Sequence, residues 1–267
     1  MIRFIIVIVI VVIESKVILV GGDAKSAIPL KQNIKKFRSF QVSSEALTEL
    51  SEDNTKEWWT RNIAINMCKN DGEIPEDEKL LDDNSLYALL IPQRIVLQYQ
   101  TQLMVLLGDV RLFPVPKDLA GGAAIKFDNS WGGKRAYGGE RVHEGCDIMT
   151  SNNIAGYFPV QSMTDGVVEK IGWLDMGGYR IGIRAPGGAF FYYAHLDEYA
   201  DGLEIGSKVE AGQMLGRMGN TGYGKEGTTG KFDTHLHVGI YVNIDDREVS
   251  INPYSILKFI EKYRQTF

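Results

Sequence analysis

His235-Leu-His-Val-Gly-Ile-Tyr-Val-Asn243 alternates without a break: His235, His237, Gly239, Tyr241 and Asn243 fall on one side, Leu236, Val238, Ile240 and Val242 on the other. A period of two marks a half-buried β-strand, because successive side chains of an extended chain point to opposite faces of a sheet. The stretch therefore predicts a strand with an apolar face on a core and both imidazoles aimed in one direction from its polar face. Two imidazoles on one face, joined by a carboxylate and a third imidazole from elsewhere, make a site of the kind a catalytic metal needs, with three protein ligands and one position open to water.

Outward from this strand the sequence is economical with histidine. All four, His143, His195, His235 and His237, lie in the last 125 residues. His143-Glu-Gly-Cys-Asp147 is an H-x-x-x-D pair, and the set of four histidines and Asp147 exceeds the three ligands a metal requires. Surplus imidazoles beside a metal position water, carry its proton or hold a developing oxyanion. Spacing alone leaves open which residue does which.

Tyr179–Arg184 and Ala189–His195 flank Ala185-Pro-Gly-Gly188, a hairpin pattern that places His195 near the end of its second strand. Gly219-Asn-Thr-Gly-Tyr-Gly-Lys225 fits the first seven positions of a phosphate-cradling loop, but Glu226 stands where a magnesium-binding hydroxyl belongs and no helical pattern follows. These glycines read instead as a mobile loop over a substrate groove, where a backbone without side chains can pass close to a peptide.

Glycine also divides the chain. Of 29 glycines, only Gly21, Gly22 and Gly72 precede Gly108. The 267 residues, 44% of them hydrophobic, read as residues 1–24 (signal peptide or membrane anchor with linker), 25–110 (helical domain) and 111–267 (a strand- and turn-rich domain). The fold class expected is α+β. In the helical part Ser43 or Ser44 caps a helix carrying Leu47 and Leu50, and Asn54 with Glu57 caps a second whose Trp59, Ile63 and Met67 form one stripe. Pro92 and Gly108 bound a third, with Ile95, Tyr99, Leu103 and Leu106 facing the core. At helical spacing Trp58-Trp59 reads as core rather than as a carbohydrate platform, and Pro253 to Tyr263 reads as one short amphipathic helix.

Phe4 to Ile13 is an unbroken apolar run after Arg3, resuming at Val17 after Glu14-Ser15-Lys16. Ten residues match a signal-peptide core, and counting on to Val20 gives about one membrane span, so export by a cleaved signal or anchoring through residues 2–20 is expected, with the rest of the chain extracytoplasmic. Cys68 and Cys146 are two separate thiols, not a disulfide framework. A net charge of −5 argues against a nucleic-acid partner, which demands a basic surface.

From about Phe113-Pro114 to Pro253 a series of motifs runs in one order: Arg141-Val-His-Glu-Gly-Cys-Asp-Ile148, Thr164-Asp-Gly-Val-Val168, Tyr193-Ala-His-Leu196, Gly206-Ser-Lys-Val209, Ala211-Gly-Gln-Met-Leu-Gly216, Gly219-Asn-Thr-Gly222, His235-Leu-His-Val238 and Asn252-Pro253. The series resembles the LytM or lysostaphin-type peptidases, the M23 family of zinc-dependent peptidoglycan endopeptidases. That resemblance implies a mainly antiparallel β peptidase domain, one zinc ion per chain held by His143, Asp147 and His237, and His195 and His235 as the catalytic pair beside the attacking water. It further implies peptidoglycan peptide as substrate and the cell wall as place of action. Tyr137 or Arg141 is a further candidate donor, read from the sequence and not from the resemblance. Two departures stand out: Cys146 in place of an aliphatic residue, and Lys231-Phe-Asp-Thr234 where the family carries a single residue before the H-x-H pair. Two other functions share this style of site, a non-catalytic regulator of another wall hydrolase and a zinc carboxypeptidase that trims stem peptides. The helical part is read as targeting, spacing or occluding the groove.

Overall fold

A computed structural model of the chain describes residues 7–13, 16–22, 27–52, 54–135 and 139–267. The leader or anchor expected over residues 1–24 lies partly, and Tyr137 wholly, outside the described residues. Val7–Ile13 (β1) and Lys16–Gly22 (β2), both rich in β-branched residues, pair antiparallel with Val7 opposite Gly22. Among the described residues no helix is long and apolar enough to cross a membrane.

The helical part contains Ile34–Ser39 (α1), Ser44–Ser51 (α2), Lys56–Lys69 (α3), Leu86–Leu90 (α4) and Gln93–Leu107 (α5). Ser43 caps α2, its hydroxyl accepting from the Ala46 N–H at 3.1 Å. The cap of α3 is Thr55 and not Asn54. Thr55 sits at the extended residue before the helix and accepts from the Trp58 N–H at 3.3 Å. Asn54 instead turns back to donate to the carbonyls of Leu50 and Glu52, at 3.1 and 2.7 Å, satisfying the end of α2. Trp59, Ile63 and Met67 are buried, as are Ile95, Tyr99, Leu103 and Leu106 of α5. Trp59 packs on Phe259 with ring centres 6.2 Å apart, and Trp58 is partly buried against the core. The pair is structural.

From residue 111 onward the chain is mostly antiparallel β. Its elements are Ile125–Phe127 (β3), Lys134–Arg135 (β4), Arg141–Val142 (β5), Cys146–Thr150 (β6), Pro159–Gln161 (β7), Gly166–Leu174 (β8), Gly178–Arg184 (β9), Phe190–Tyr199 (β10), Lys208–Val209 (β11), Met214–Met218 (β12), His235–Ile244 (β13) and Arg247–Ile251 (β14), followed by the helix Tyr254–Ile260 (α6). Among the described residues the main sheet runs β11-β8-β9-β10-β13-β6-β3, with β12 bridging β10 to β7 and β14 on β13; β4 and β5 form a separate hairpin. The tail helix tightens into a 3₁₀ turn at Glu261–Tyr263, a common way to close a last turn.

One buried apolar cluster is continuous from Leu30, Phe37 and Tyr99 through Phe113 to Ile148, Ile240 and Leu257. Helices and sheet therefore share packing, with α1 against β14, α5 against β13 and α2 against α6. Leu236, Val238, Ile240 and Val242 are fully buried, which is the strand alternation in its expected sense. That packing leaves the opposite face of β13 to form a site.

Candidate metal centre and active site

In the antiparallel ladder of β13 and β6, His237 lies directly opposite Asp147. Facing residues of two strands project to the same side, so register alone makes the imidazole and carboxylate neighbours. His237 Nδ1 is 3.0 Å from Asp147 Oδ1. His143 arrives from the turn before β6, its Nε2 at 2.9 Å from His237 Nδ1 and 3.1 Å from Asp147 Oδ1. Cys146, one residue from Asp147 along the strand, points the other way: it is fully buried and its thiol donates to the Asp128 carbonyl at 3.3 Å. Burial pushes that thiol up to about 12, and both cysteines are free, so Cys146 is a small core residue.

Each of three imidazoles has one ring nitrogen committed to a backbone carbonyl. His143 Nδ1 donates to Ser130 at 2.9 Å, His195 Nδ1 to Thr221 at 2.8 Å and His235 Nδ1 to Asp233 at 2.7 Å. Donation at Nδ1 fixes the tautomer with a bare lone pair on Nε2. Asp147 is braced from outside, where Arg135 donates to its Oδ2 at 2.6 Å and leaves Oδ1 facing the imidazoles.

His195 reaches this cluster by a break in its strand. Tyr192 and Ala194 of β10 line the cleft while Phe191 and Tyr193 are fully buried, so strict alternation would send His195 into the core. Between Tyr193 and Leu196 the pairing with β9 shifts register, and His195 takes a left-handed conformation with φ 64°. A bulge of this kind re-aims one side chain at a cost of about 1–3 kcal/mol. The peptide is pinned there, His195 N–H donating to the Gly177 carbonyl at 2.8 Å. The strand then continues to Tyr199, so His195 sits at an interior bulge rather than near the strand end the hairpin pattern predicts. Its ring centre is 4.8 Å from that of His235 and 6.0 Å from that of His237.

These side chains line a cleft of about 710 Å³ together with Arg135, Arg141, Tyr192, Tyr223 and Phe232. The loop from Gly219 to Thr234 forms one rim, tied back by Gly219 on His235 and by Thr221 on Thr229. Phe232, within the lengthened segment before the H-x-H pair, stacks edge-on to His195 at 4.6 Å. Burial holds His195, His235 and His237 below the ordinary imidazole value, with neighbouring imidazoles adding to the effect at His195.

The structure thus brings together all five residues singled out in the sequence. His143, Asp147 and His237 form a group able to hold a metal ion, their donor atoms lying within 4.8 Å of one another. Sequence reading missed Arg135, and it missed the carbonyls of Ser130, Thr221 and Asp233. A backbone acceptor has no signature in residue identity.

Arg38 of α1 extends this support from the helices. It donates to the Ser250 carbonyl and hydroxyl at 3.0 and 3.1 Å, lies 5.6 Å over the Trp131 ring and approaches Glu144 at 3.6 Å. Trp131 and Glu144 adjoin Ser130 and His143, so Arg38 steadies both sides of the His143 contact. Arg38→Ala is expected to weaken metal affinity about tenfold with little change in secondary structure, since outer partners of a ligand carry effects of that order. Competition with a chelator of known affinity measures it, and unchanged affinity would show that the helices do not support the site.

Residues 141–253 match the profile of peptidase family M23. A crystal structure from Ruminococcus gnavus, described as a candidate glycyl-glycine endopeptidase lytM, is 41% identical and superposes over 87% of this chain and 92% of that one with a TM-score of 0.74. The L-Ala–D-Glu endopeptidase of Bacillus subtilis is 44% identical over 137 residues, 51% of this chain and 41% of that protein. Lysostaphin of Staphylococcus staphylolyticus is 31% identical over 119 residues, 44% of this chain and 22% of that protein. The chain thus spans less than half the length of these two relatives. With the R. gnavus structure matched across almost its whole length and the family profile covering every residue of the histidine cluster, the chain belongs to peptidase family M23.

Proposed function

We propose that the chain is a zinc-dependent endopeptidase that hydrolyses stem or cross-link peptides of bacterial peptidoglycan with an activated water. The observation that carries this reading is the donor triangle of His143 Nε2, Asp147 Oδ1 and His237 Nδ1, with sides of 2.9, 3.0 and 3.1 Å. His143 donates to a carbonyl through Nδ1, so its Nε2, the Asp147 carboxylate oxygen and His237 Nδ1 converge as electron-pair donors on one small space. Such a set is stable around a cation. Two imidazole nitrogens and one carboxylate oxygen are ligands suited to zinc, whose preferred tetrahedron separates its donors by about 3.3 Å, a few tenths of an ångström beyond the distances here. When bound there, zinc lowers the pKa of water towards about 7 and polarises a carbonyl.

The chain's own residues supply the proton chemistry. Burial favours the neutral form of His195 and His235, and with Nδ1 donating each offers a bare Nε2. One of them accepts the proton of the attacking water and returns it to the departing amine nitrogen. Thr221 and Asp233 hold the Nδ1 protons throughout, so the rings neither flip nor change tautomer. Phe232 and Tyr223 shield His195 from bulk water on the loop side.

The names of the relatives support internal cleavage of short peptide bonds, L-Ala–D-Glu in one and glycyl-glycine in another. The apolar run from Phe4 to Ile13 supports export or anchoring, which would set the peptidase outside the cytoplasmic membrane. The purified chain is expected to bind one zinc ion and to release soluble peptides from cell walls, identified by mass. Release of single terminal residues would turn the reading to a carboxypeptidase, and zinc binding with intact walls would turn it to a regulator.

A further inference from the structure

Tyr192 and Tyr193 are neighbours on β10 and face opposite sides of the sheet. Tyr193 is fully buried, and its hydroxyl accepts from the Met163 N–H at 2.8 Å. Tyr192 lines the cleft, half-buried, and among the described residues its hydroxyl has no hydrogen-bond partner. Tyrosines packed elsewhere do find one: Tyr99 donates to the Ile28 carbonyl at 3.2 Å, Tyr157 to Asp118 at 2.6 Å and Tyr199 to the Gly172 carbonyl at 2.9 Å. Tyr87 of α4 also lacks a partner, but its hydroxyl is sealed from solvent and from any ligand.

The Tyr192 ring is held in place by its neighbours. His237 and Tyr241 meet it edge-on, with ring centres 5.9 and 6.5 Å away. Its hydroxyl lies against Gly177 of the cleft wall, where a β-carbon would come within 2.5 Å of the oxygen. A peptide lying over this floor displaces the water that such a hydroxyl otherwise meets. A polar group stranded in this way costs more than one hydrogen bond returns, so the occupant has to supply an acceptor. The surrounding groups do not: the Gly177 carbonyl already accepts from the His195 N–H, and Arg180, whose charge acts on the phenol, has only donors. A bound peptide brings carbonyl oxygens at regular intervals, whatever its side chains.

We propose that the Tyr192 hydroxyl donates to a main-chain carbonyl of the bound peptide and fixes the register of that chain over the metal centre. Tyr192 stands opposite Gly239, one two-residue step along the ladder from the Ala194–His237 pair, so the carbonyl it reaches flanks the scissile one. This rests on the peptidase reading above and adds a substrate-positioning residue to it. Because the contact is to main chain, it carries no preference among side chains.

The test compares the full natural chain with Y192F and Y193F, all supplied with zinc, on two probes: a peptide containing an L-Ala–D-Glu bond, and pentaglycine. Y192F is expected to lower kcat/KM about tenfold on whichever probe is cleaved, the order of one neutral hydrogen bond. The loss falls chiefly on KM, because a contact made equally before and during the reaction acts on binding. Zinc content is expected to stay unchanged and Tm to hold or rise, since no hydrogen bond within the protein is lost. Y193F is expected to do the reverse, lowering Tm by stranding the Met163 N–H while kcat/KM holds. Unchanged kcat/KM in Y192F, a loss confined to kcat, or a fall in Tm or zinc content that accounts for the lost activity overturns the assignment and leaves the peptidase reading in place. If neither probe is cleaved, calorimetric binding of the same peptides decides. Binding about tenfold weaker to Y192F keeps the contact while the peptidase reading fails, and equal binding or none overturns the contact.

Discussion

His143→Ala is expected to lose both bound metal and wall hydrolysis, while His195→Ala keeps the metal and loses hydrolysis by about 10²–10⁴-fold, the usual share of a positioned general base. The two residues differ in what they face. His143 Nε2 closes a triangle with Asp147 and His237 at 2.9 and 3.1 Å, so its loss leaves two donors where a catalytic zinc needs three. It also strands the Ser130 carbonyl that its Nδ1 occupies. His195 stands outside that triangle, its ring centre 6.0 Å from that of His237, and it lines the same cleft with Nδ1 held by the Thr221 carbonyl. Alanine removes the base and relieves the crowding of imidazoles without touching a donor. Metal content by atomic emission and peptide release from walls, measured on the same preparations, separate the roles; metal lost equally from both variants, or kept by His143→Ala, would sink the division. His235→Ala belongs with His195→Ala, because its Nε2 stays 3.9 Å from Asp147 Oδ1.

Legibility in the sequence followed the range of the forces involved. Alternation in β13 was readable because it depends only on which face meets the core, and the burial of Leu236, Val238, Ile240 and Val242 follows it. The same rule applied to β10 would have placed His195 with Phe191 and Tyr193 in the core. Only the bulge, which depends on pairing with β9 and on the Gly177 carbonyl, reverses that. The pattern of family motifs carried His195 into the site where periodicity alone could not. Arg135 was invisible for a related reason: its partner Asp147 lies twelve positions away in the sequence, and nothing local to the Gly-Gly-Lys-Arg stretch indicates it. The cap of α3 shows the limit at short range. Asn54 and Thr55 are both good cap residues, and the choice fell to Thr55 because Asn54 was drawn back to the end of the preceding helix.

Gly145→Ala, a change of one methyl group between two donors, is expected to weaken metal affinity at least about tenfold and to lower stability by about 1–3 kcal/mol, the range for overpacking a filled site. A β-carbon built at Gly145 would lie 2.5 Å from His237 Cε1, 2.6 Å from His237 Nε2 and 2.5 Å from the Val238 carbonyl oxygen. Gly145 is not in the left-handed region, so the obstacle is space and not backbone conformation. Space cannot be made cheaply on the strand side, because Val238 is paired with Cys146 in the ladder that also sets His237 against Asp147. The ring must therefore turn, and turning moves Nδ1 out of its 3.0 Å contact with Asp147 Oδ1. Gly202→Ala makes the control: its glycine has φ 76° with nothing near the added carbon, so the change costs about 1–2 kcal/mol in backbone conformation and leaves the site alone. Chelator competition and thermal unfolding on the two variants distinguish the effects. If Gly145→Ala holds zinc as tightly as the natural chain, the bare Cα at position 145 is not what orients His237, and the ring must be fixed by its strand alone.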